Sequence, residues 1–176
     1  MDFLELARKR QSCRNFDLKK AVDKDLIEKC LDAMILSPSA CNAQPYFYHV
    51  LEGDLAKKVS GLTGSFNTFA KNAPVIIVLE EENYNLTAKV GSTIKNQDYK
   101  SIDMGISVSY LTLEATSLGL STCILGWFNE NEIKRLLKIK NKIRLVIALG
   151  YAANGEIKEK KRKSKSAIYK IWEDEN

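Results

Sequence analysis

Residues Ser101 to Leu118 read SIDMGISVSYLTLEATSL, and Gly119 follows. The stretch predicts one long helix. Ile102, Ile106, Tyr110 and Leu113 fall on one side of it. Gly105, Ser107, Ser109, Ala115 and Ser117 are small enough to let neighbouring elements approach closely. A helix apolar this far round is central: it is either wholly internal or covered by a partner. Gly119 supplies the natural stop, because a glycine just past a helix accepts the left-handed conformation without penalty.

On the C-terminal side, Ser121–Leu125 predicts a short strand. Asn129 followed by Glu132 predicts a capped helix to about Ile139. Lys142–Tyr151, KIRLVIALGY, is the strongest strand pattern in the chain. On the N-terminal side, Val75–Leu79 is a continuous apolar run, the mark of a strand buried on both faces. Tyr46–Leu51 predicts another strand, and short helices are expected at Leu55–Ser60 and Ser65–Asn72. The polar stretch 80–99 reads as loop. Asp23 stands as an N-cap before Leu26, Ile27, Cys30, Leu31, Met34 and Ile35, which recur at helical spacing. Pro38 ends that helix, and residues 2–9 form a first short one.

With 176 residues, 45% of them hydrophobic and 28% charged, the chain has the composition of one globular domain, 1–176. No apolar run reaches the length a membrane span needs. The N-terminal MDFLELARKR is amphipathic and has no signal-peptide core, so the expected location is the cytoplasm. Cys13, Cys30, Cys41 and Cys123 form no CxxC or Cys/His cluster, so no metal site is expected. The single histidine, His49 in YFYHVL, reads as structural, and no material for a Ser-His-Asp triad exists. Neither GxGxxG nor GxxxxGK[ST] occurs, which removes the Rossmann and P-loop readings.

The net charge of +5 has one source. KEKKRKSK, Lys158 to Lys165, holds six basic residues and one acid; the rest of the chain balances at 21 against 21. Such a run is a solvated tail, a phosphate clamp or a nucleic-acid patch. It carries no interleaved aromatic residue for base stacking, which argues against nucleic acid. Arg10-Gln11-Ser12-Cys13-Arg14 offers two guanidiniums and a hydroxyl, a set suited to phosphate. Pro38-Ser39-Ala40-Cys41-Asn42-Ala43-Gln44-Pro45 offers donors and acceptors from a proline-bounded loop, suited to a planar heterocycle. Gly126, in Ile124-Leu125-Gly126-Trp127, permits close backbone approach to a ligand.

Taken in order, these motifs resemble the nitroreductase family of flavin enzymes, in its short single-domain branch. Arg10–Phe16 stands for its R-R-S-x-R motif and Pro38–Pro45 for its P-S-A-x-N-x-Q-P loop. Asp103-Met104-Gly105-Ile106 stands for D-x-G-I, Gly119–Trp127 for G-L-x-T-C-x-x-G-W, and Leu149-Gly150-Tyr151 with Lys160–Lys163 for the closing strand and K-x-R-K. The resemblance implies an α+β fold with a mixed, mainly antiparallel central sheet flanked by helices, and a homodimer. It implies bound FMN, with NAD(P)H as donor and a nitroaromatic, quinone or similar small-molecule acceptor in a ping-pong reaction. No side chain is implied as catalytic. Arg10, Ser12, Arg14, Lys160 and Arg162 would hold the FMN phosphate. Pro38, Ser39, Ala40, Asn42 and Gln44 would come from the loop of the other subunit, and Ile124, Leu125, Gly126 and Trp127 would border the flavin through their backbone. Gln11 departs from the Arg or His usual in that motif. Asn67 and Lys71 lie near the place where some relatives carry an Asn and a Lys. Other members of the family dehalogenate, dehydrogenate or modify flavin, which is the alternative reaction class.

Overall fold

The computed structural model describes residues 2–83, 97–155 and 157–173. Its helices are α1 (Phe3–Lys9), α2 (Lys24–Ile35), α3 (Gly53–Ser60), α4 (Tyr99–Ser117) and α5 (Glu130–Leu137). Its strands are β1 (Tyr46–Glu52), β2 (Val75–Glu81), β3 (Ser121–Leu125) and β4 (Ile143–Gly150), in the order β1-β2-β4-β3. All three strand pairs are antiparallel. The parallel component is an isolated bridge between Ser12 and Thr122.

Val75 to Leu79 are buried throughout, as the continuous apolar run requires. Ile76 and Val78 face one core with Val59 of α3 and Ile133 of α5. Val75, Ile77 and Leu79 face the other, with Cys30 and Met34 of α2 and Met104, Val108 and Leu111 of α4. Alternation along a strand sends successive side chains to opposite faces, so the sheet lies between two helical layers. Each side chain so buried contributes on the order of 1.5–3 kcal/mol.

Helix α4 ends as expected. Gly119 takes φ 78°, Leu120 N–H donates to the Ala115 carbonyl at 2.7 Å, and Gly119 N–H donates to Thr116 at 3.1 Å; this is a complete Schellman motif. Asn129 caps α5 by accepting from Glu132 N–H at 3.2 Å. The reciprocal half of the box is absent, because Asn129 N–H donates to Leu62 and Glu132 grips Arg135. Helix α5 stops at Leu137, two residues short of the expectation, because Lys138 turns left-handed at φ 57°. Asp23 sits at the start of α2 but caps it with no side-chain bond.

The stretch 80–99 was expected to be loop, and its ends are not. Glu80 and Glu81 complete β2, and Tyr99 opens α4 behind an Asp98 cap; residues 84–96 lie outside those described. Glu80 hides a strand end behind its charge. Its carboxylate takes a 2.7 Å bond to His49 Nε2 and accepts from Asn141 N–H at 3.3 Å. His49 is thereby structural, stapling β1 to β2.

Two features of α4 differ from a wholly internal helix. Asp103, Met104, Ser107, Val108, Leu111, Thr112 and Ala115 are buried. Ile102 and Tyr110 are 49% and 41% exposed, in line with half-buried Ile106 and Leu113. Of the small residues, Ser107 and Ala115 pack inward, whereas Gly105, Ser109 and Ser117 lie on the outer side. They shape a surface there as well as a contact.

Gly150 closes β4 where a side chain has no room. A Cβ placed there would stand 2.6 Å from Pro74 Cδ and 3.1 Å from Phe16 Cδ1. Gly150→Ala should therefore force the proline ring or the strand to shift, costing about 1–3 kcal/mol. Thermal unfolding checks this: the variant melts several degrees below wild type, and an unchanged midpoint contradicts it.

Candidate functional site

The chain ends meet beside β3. Arg10 closes α1, its N–H donating to Leu6 at 2.9 Å. The chain then extends along the free edge of β3, where Cys13 N–H donates to the Thr122 carbonyl at 2.9 Å. The C-terminal segment returns to the same place. Lys158 N–H donates to Gln11 Oε1 at 3.1 Å, and Lys160 Nζ donates to the Ala7 carbonyl in the last turn of α1.

This convergence encloses a cleft of about 500 Å³ lined by Arg10, Ser12, Ile124, Lys160 and Arg162. Phe3 and Ala7 of α1, and Ser109, Thr112 and Leu113 of α4, complete it. Three cations line the cleft, and no carboxylate lines it among the described residues. Burial, with the neighbouring Arg10 and Arg162 charges, holds the Lys160 ammonium below the ordinary lysine range. A crowded cationic site of this kind fits a phosphate monoester, whose two negative charges relieve the repulsion.

Gln11 and Arg14 line a separate cleft of about 320 Å³, together with Cys13, Asn15 and Lys158; Ser12 borders both. The Pro38–Pro45 loop lies elsewhere again, at the start of α4, where Ala40 N–H donates to Asp103 Oδ1 at 3.1 Å. Pro38, Ser39, Ala40, Asn42 and Gln44 do not line the phosphate-like cleft of their own chain. Cys41, Asn42 and Gln44 adopt φ of 52°, 50° and 44°. Left-handed backbone costs a non-glycine residue roughly 1–2 kcal/mol. Bonds from Gln44 N–H to Ser39 Oγ at 3.0 Å and from Gln44 Nε2 to Asn42 Oδ1 at 3.1 Å hold the turn.

At the end of β3, the Leu125 side chain belongs to the core, while Gly126 and Trp127 are exposed. Asn67 Nδ2 donates to the Trp127 carbonyl at 3.2 Å and to Thr63 at 2.9 Å. The indole lies on Gly64, 3.0 Å from where a Cβ would stand. Asn67 thus stands beside the strand end that the sequence singled out, and Lys71 stays exposed. Sequence reasoning missed Ser109, Thr112 and Leu113 as cleft walls. For Ser109 and Thr112 the signal was present as small and polar residues on an otherwise apolar helix, whereas Leu113 read as part of the apolar side.

The thiols divide cleanly. Burial pushes Cys13 and Cys123 up and Cys30 up to about 12, while Cys41 is exposed. A thiol reagent at neutral pH should modify Cys41 first and the other three only on unfolding. Mass-mapped labelling checks this, and equal rates at all four would contradict the burial.

Known proteins resemble this chain in sequence and in fold. The profile of the Nitroreductase family matches residues 7–151. A protein of Methanothermobacter thermautotrophicus, provisionally named an NADH dehydrogenase or NAD(P)H nitroreductase, is 29% identical over 160 residues, spanning 87% of this chain and 78% of its own. A solved nitroreductase family protein of Clostridium difficile shares 26% identity at a TM-score of 0.80, covering 97% of this chain and 98% of that one. A provisionally named nitroreductase of Exiguobacterium sibiricum, solved in complex with FMN, reaches a TM-score of 0.82 at 18% identity, covering 98% of each chain; that likeness speaks for the fold. Since the family profile covers most of the chain, the protein belongs to the nitroreductase family.

Proposed function

We propose that this chain is a homodimeric cytoplasmic oxidoreductase. It binds FMN in the Arg10–Lys160–Arg162 cleft and takes electrons from NAD(P)H to a small-molecule acceptor, such as a nitroaromatic or a quinone. The whole chain acts as one FMN-binding unit. The observation that carries the reading is the cationic cleft, which no carboxylate lines among the described residues. It is supported by membership of the family, by the NAD(P)H in a relative's name and by the FMN in a similar structure. Bound there, FMN supplies the redox chemistry, alternating between donor and acceptor in a ping-pong sequence.

The chain's own residues bind and orient. Arg10, Lys160 and Arg162 balance the phosphate, and Ser12 adds a hydroxyl. Arg14, across the segment, adds charge from the second cleft, beside Gln11. The backbone from Ile124 to Trp127, tied down by Asn67, borders the ring. No carboxylate or histidine lines the cleft among the described residues; in this reading no side chain is assigned as the acid, and solvent supplies the proton. Among the described residues no helix is long and apolar enough to cross a membrane.

The second chain is needed for two reasons. The loop Pro38–Pro45 stands apart from its own cleft, and the Ile102–Leu113 stripe of α4 is only partly covered in a single chain. Ile168, Tyr169, Ile171 and Trp172 are also 53–82% exposed. Large exposed apolar patches mark association surfaces.

Purified protein should carry about one FMN per chain, and protein that neither holds nor takes up FMN refutes the reading. Arg10→Ala should weaken FMN binding by about ten- to a hundred-fold, or ~1.5–3 kcal/mol. For the dimer, chains bearing Arg10→Ala are mixed with chains bearing Asn42→Ala after reversible unfolding. If each site draws on both chains, one site of every mixed dimer is intact and activity rises above either parent. No rescue means that each chain builds its site alone.

A further inference from the structure

The shape of the Ser39–Gln44 turn is fixed locally. Asn42 N–H donates to the Ser39 carbonyl and Ala43 N–H to the Ala40 carbonyl, each at 3.0 Å, beside the Ser39–Gln44 bond already described. These bonds travel with the turn and cannot set its place. Its flanks are tethered: Ser37 Oγ meets Tyr46 Oη at 3.2 Å, and Glu82 N–H donates to the Pro45 carbonyl at 2.9 Å. Two hydrogen bonds tie positions 39–44 themselves to other elements: Tyr46 N–H, at the start of β1, donates to the Gln44 carbonyl at 2.8 Å at the end of the turn, and at its beginning Ala40 N–H donates to Asp103 Oδ1 of α4.

Asp103 is 3% exposed, on the inward side of α4 beside Met104. A carboxylate there is costly, because burial strips its water. An apolar residue would serve the core better. Sequences break such a local rule where function requires it. Ser107, one turn on, repeats the pattern by meeting Tyr48 Oη at 2.6 Å, but its partner lies in β1 and not in the loop. Asp103 is also adjacent to Ile102 and one turn from Ile106, both on the partly covered stripe. The helix that offers its outer side to a second chain therefore grips, with its inner side, the loop assigned to that chain's cofactor.

We propose that Asp103 is a positioning residue for the cofactor loop. Its buried carboxylate holds the Ala40 amide and so places Ser39, Asn42 and Gln44 for the flavin of the neighbouring subunit. This rests on the flavin reading above. It acts through the loop and touches no reacting atom.

Three variants test it, with FMN titration, the flavin visible spectrum and hydrogen exchange of residues 38–45 as readouts. Asp103→Leu removes the acceptor at similar volume. It should bind FMN about tenfold or more weakly, shift the flavin absorption and speed exchange in 38–45 while leaving 46–52 unchanged. Asp103→Asn keeps an acceptor oxygen. It should stay within about threefold of wild type in FMN affinity, with exchange in 38–45 only modestly faster. Ser107→Ala strands the Tyr48 hydroxyl. It should lower the melting temperature without altering FMN affinity or loop exchange. Wild-type affinity and exchange in Asp103→Leu overturn the proposal, as do equal losses in Ser107→Ala, which would make the role merely structural. Should Asp103→Leu fail to fold, Asp103→Asn decides, and loop exchange identical to wild type overturns the proposal. If wild-type protein takes up no FMN, the flavin reading fails first, and the exchange measurement alone decides whether Asp103 holds the loop.

Discussion

Strand β2 must be covered on both faces. With Val75 to Leu79 removed from water, a helical layer has to lie on each side. Helix α4 with α2 supplies one layer, and α3 with α5 supplies the other. Functional groups are then confined to the edges and ends of the sheet, because its faces are taken. The free edge of β3 receives the Arg10–Arg14 segment, and the end of β3 presents Gly126 and Trp127. The site is therefore peripheral, assembled from connecting segments around a rigid centre, as binding residues on loops generally are.

That arrangement sets the division of labour between the clefts. Residues 10–14 run along the sheet edge as an extended segment. Arg10 and Ser12 open towards α4 and the C-terminal basic run, whereas Gln11 and Arg14 line the other cleft. The basic run is a wall of the site, held to α1 through Ala7 and to Gln11 through its backbone. Of its six basic residues, Lys160 and Arg162 line the cationic cleft and Lys158 lines the other. Helix α4 serves three surfaces at once: an inner apolar face for β2, polar residues at its start and middle for the loop and the cleft, and an outer stripe of partly exposed apolar residues.

Much of this was legible in the residues. The β2 run, the Schellman stop at Gly119 and the Asn129 cap rest on short-range physics. Periodicity, positive φ and a capping side chain act within a few residues, so a few residues disclose them. The motifs of the phosphate-like cleft were legible through their chemistry, since clustered guanidinium and ammonium groups have few other uses. Glu80 and Glu81 were not legible as strand, because polarity argues for loop until His49 and Asn141 are known to be near. Asp103 was visible as part of a motif but without a task.

The sequence by itself determined most of the elements, which of them carry apolar faces and the kinds of group available for binding. Tertiary structure decided which of those groups meet. Arg10 and Arg162 stand 152 positions apart in the chain, and Ala40 and Asp103 are 63 apart. No local rule relates such pairs. They are brought together because β2 pairs with β4, α4 packs across them, and the segments that carry Arg10 and Lys160 both run beside β3. Burial fixes that packing through many weak contacts summed over the whole chain, so the convergence belongs to the fold and not to any single motif.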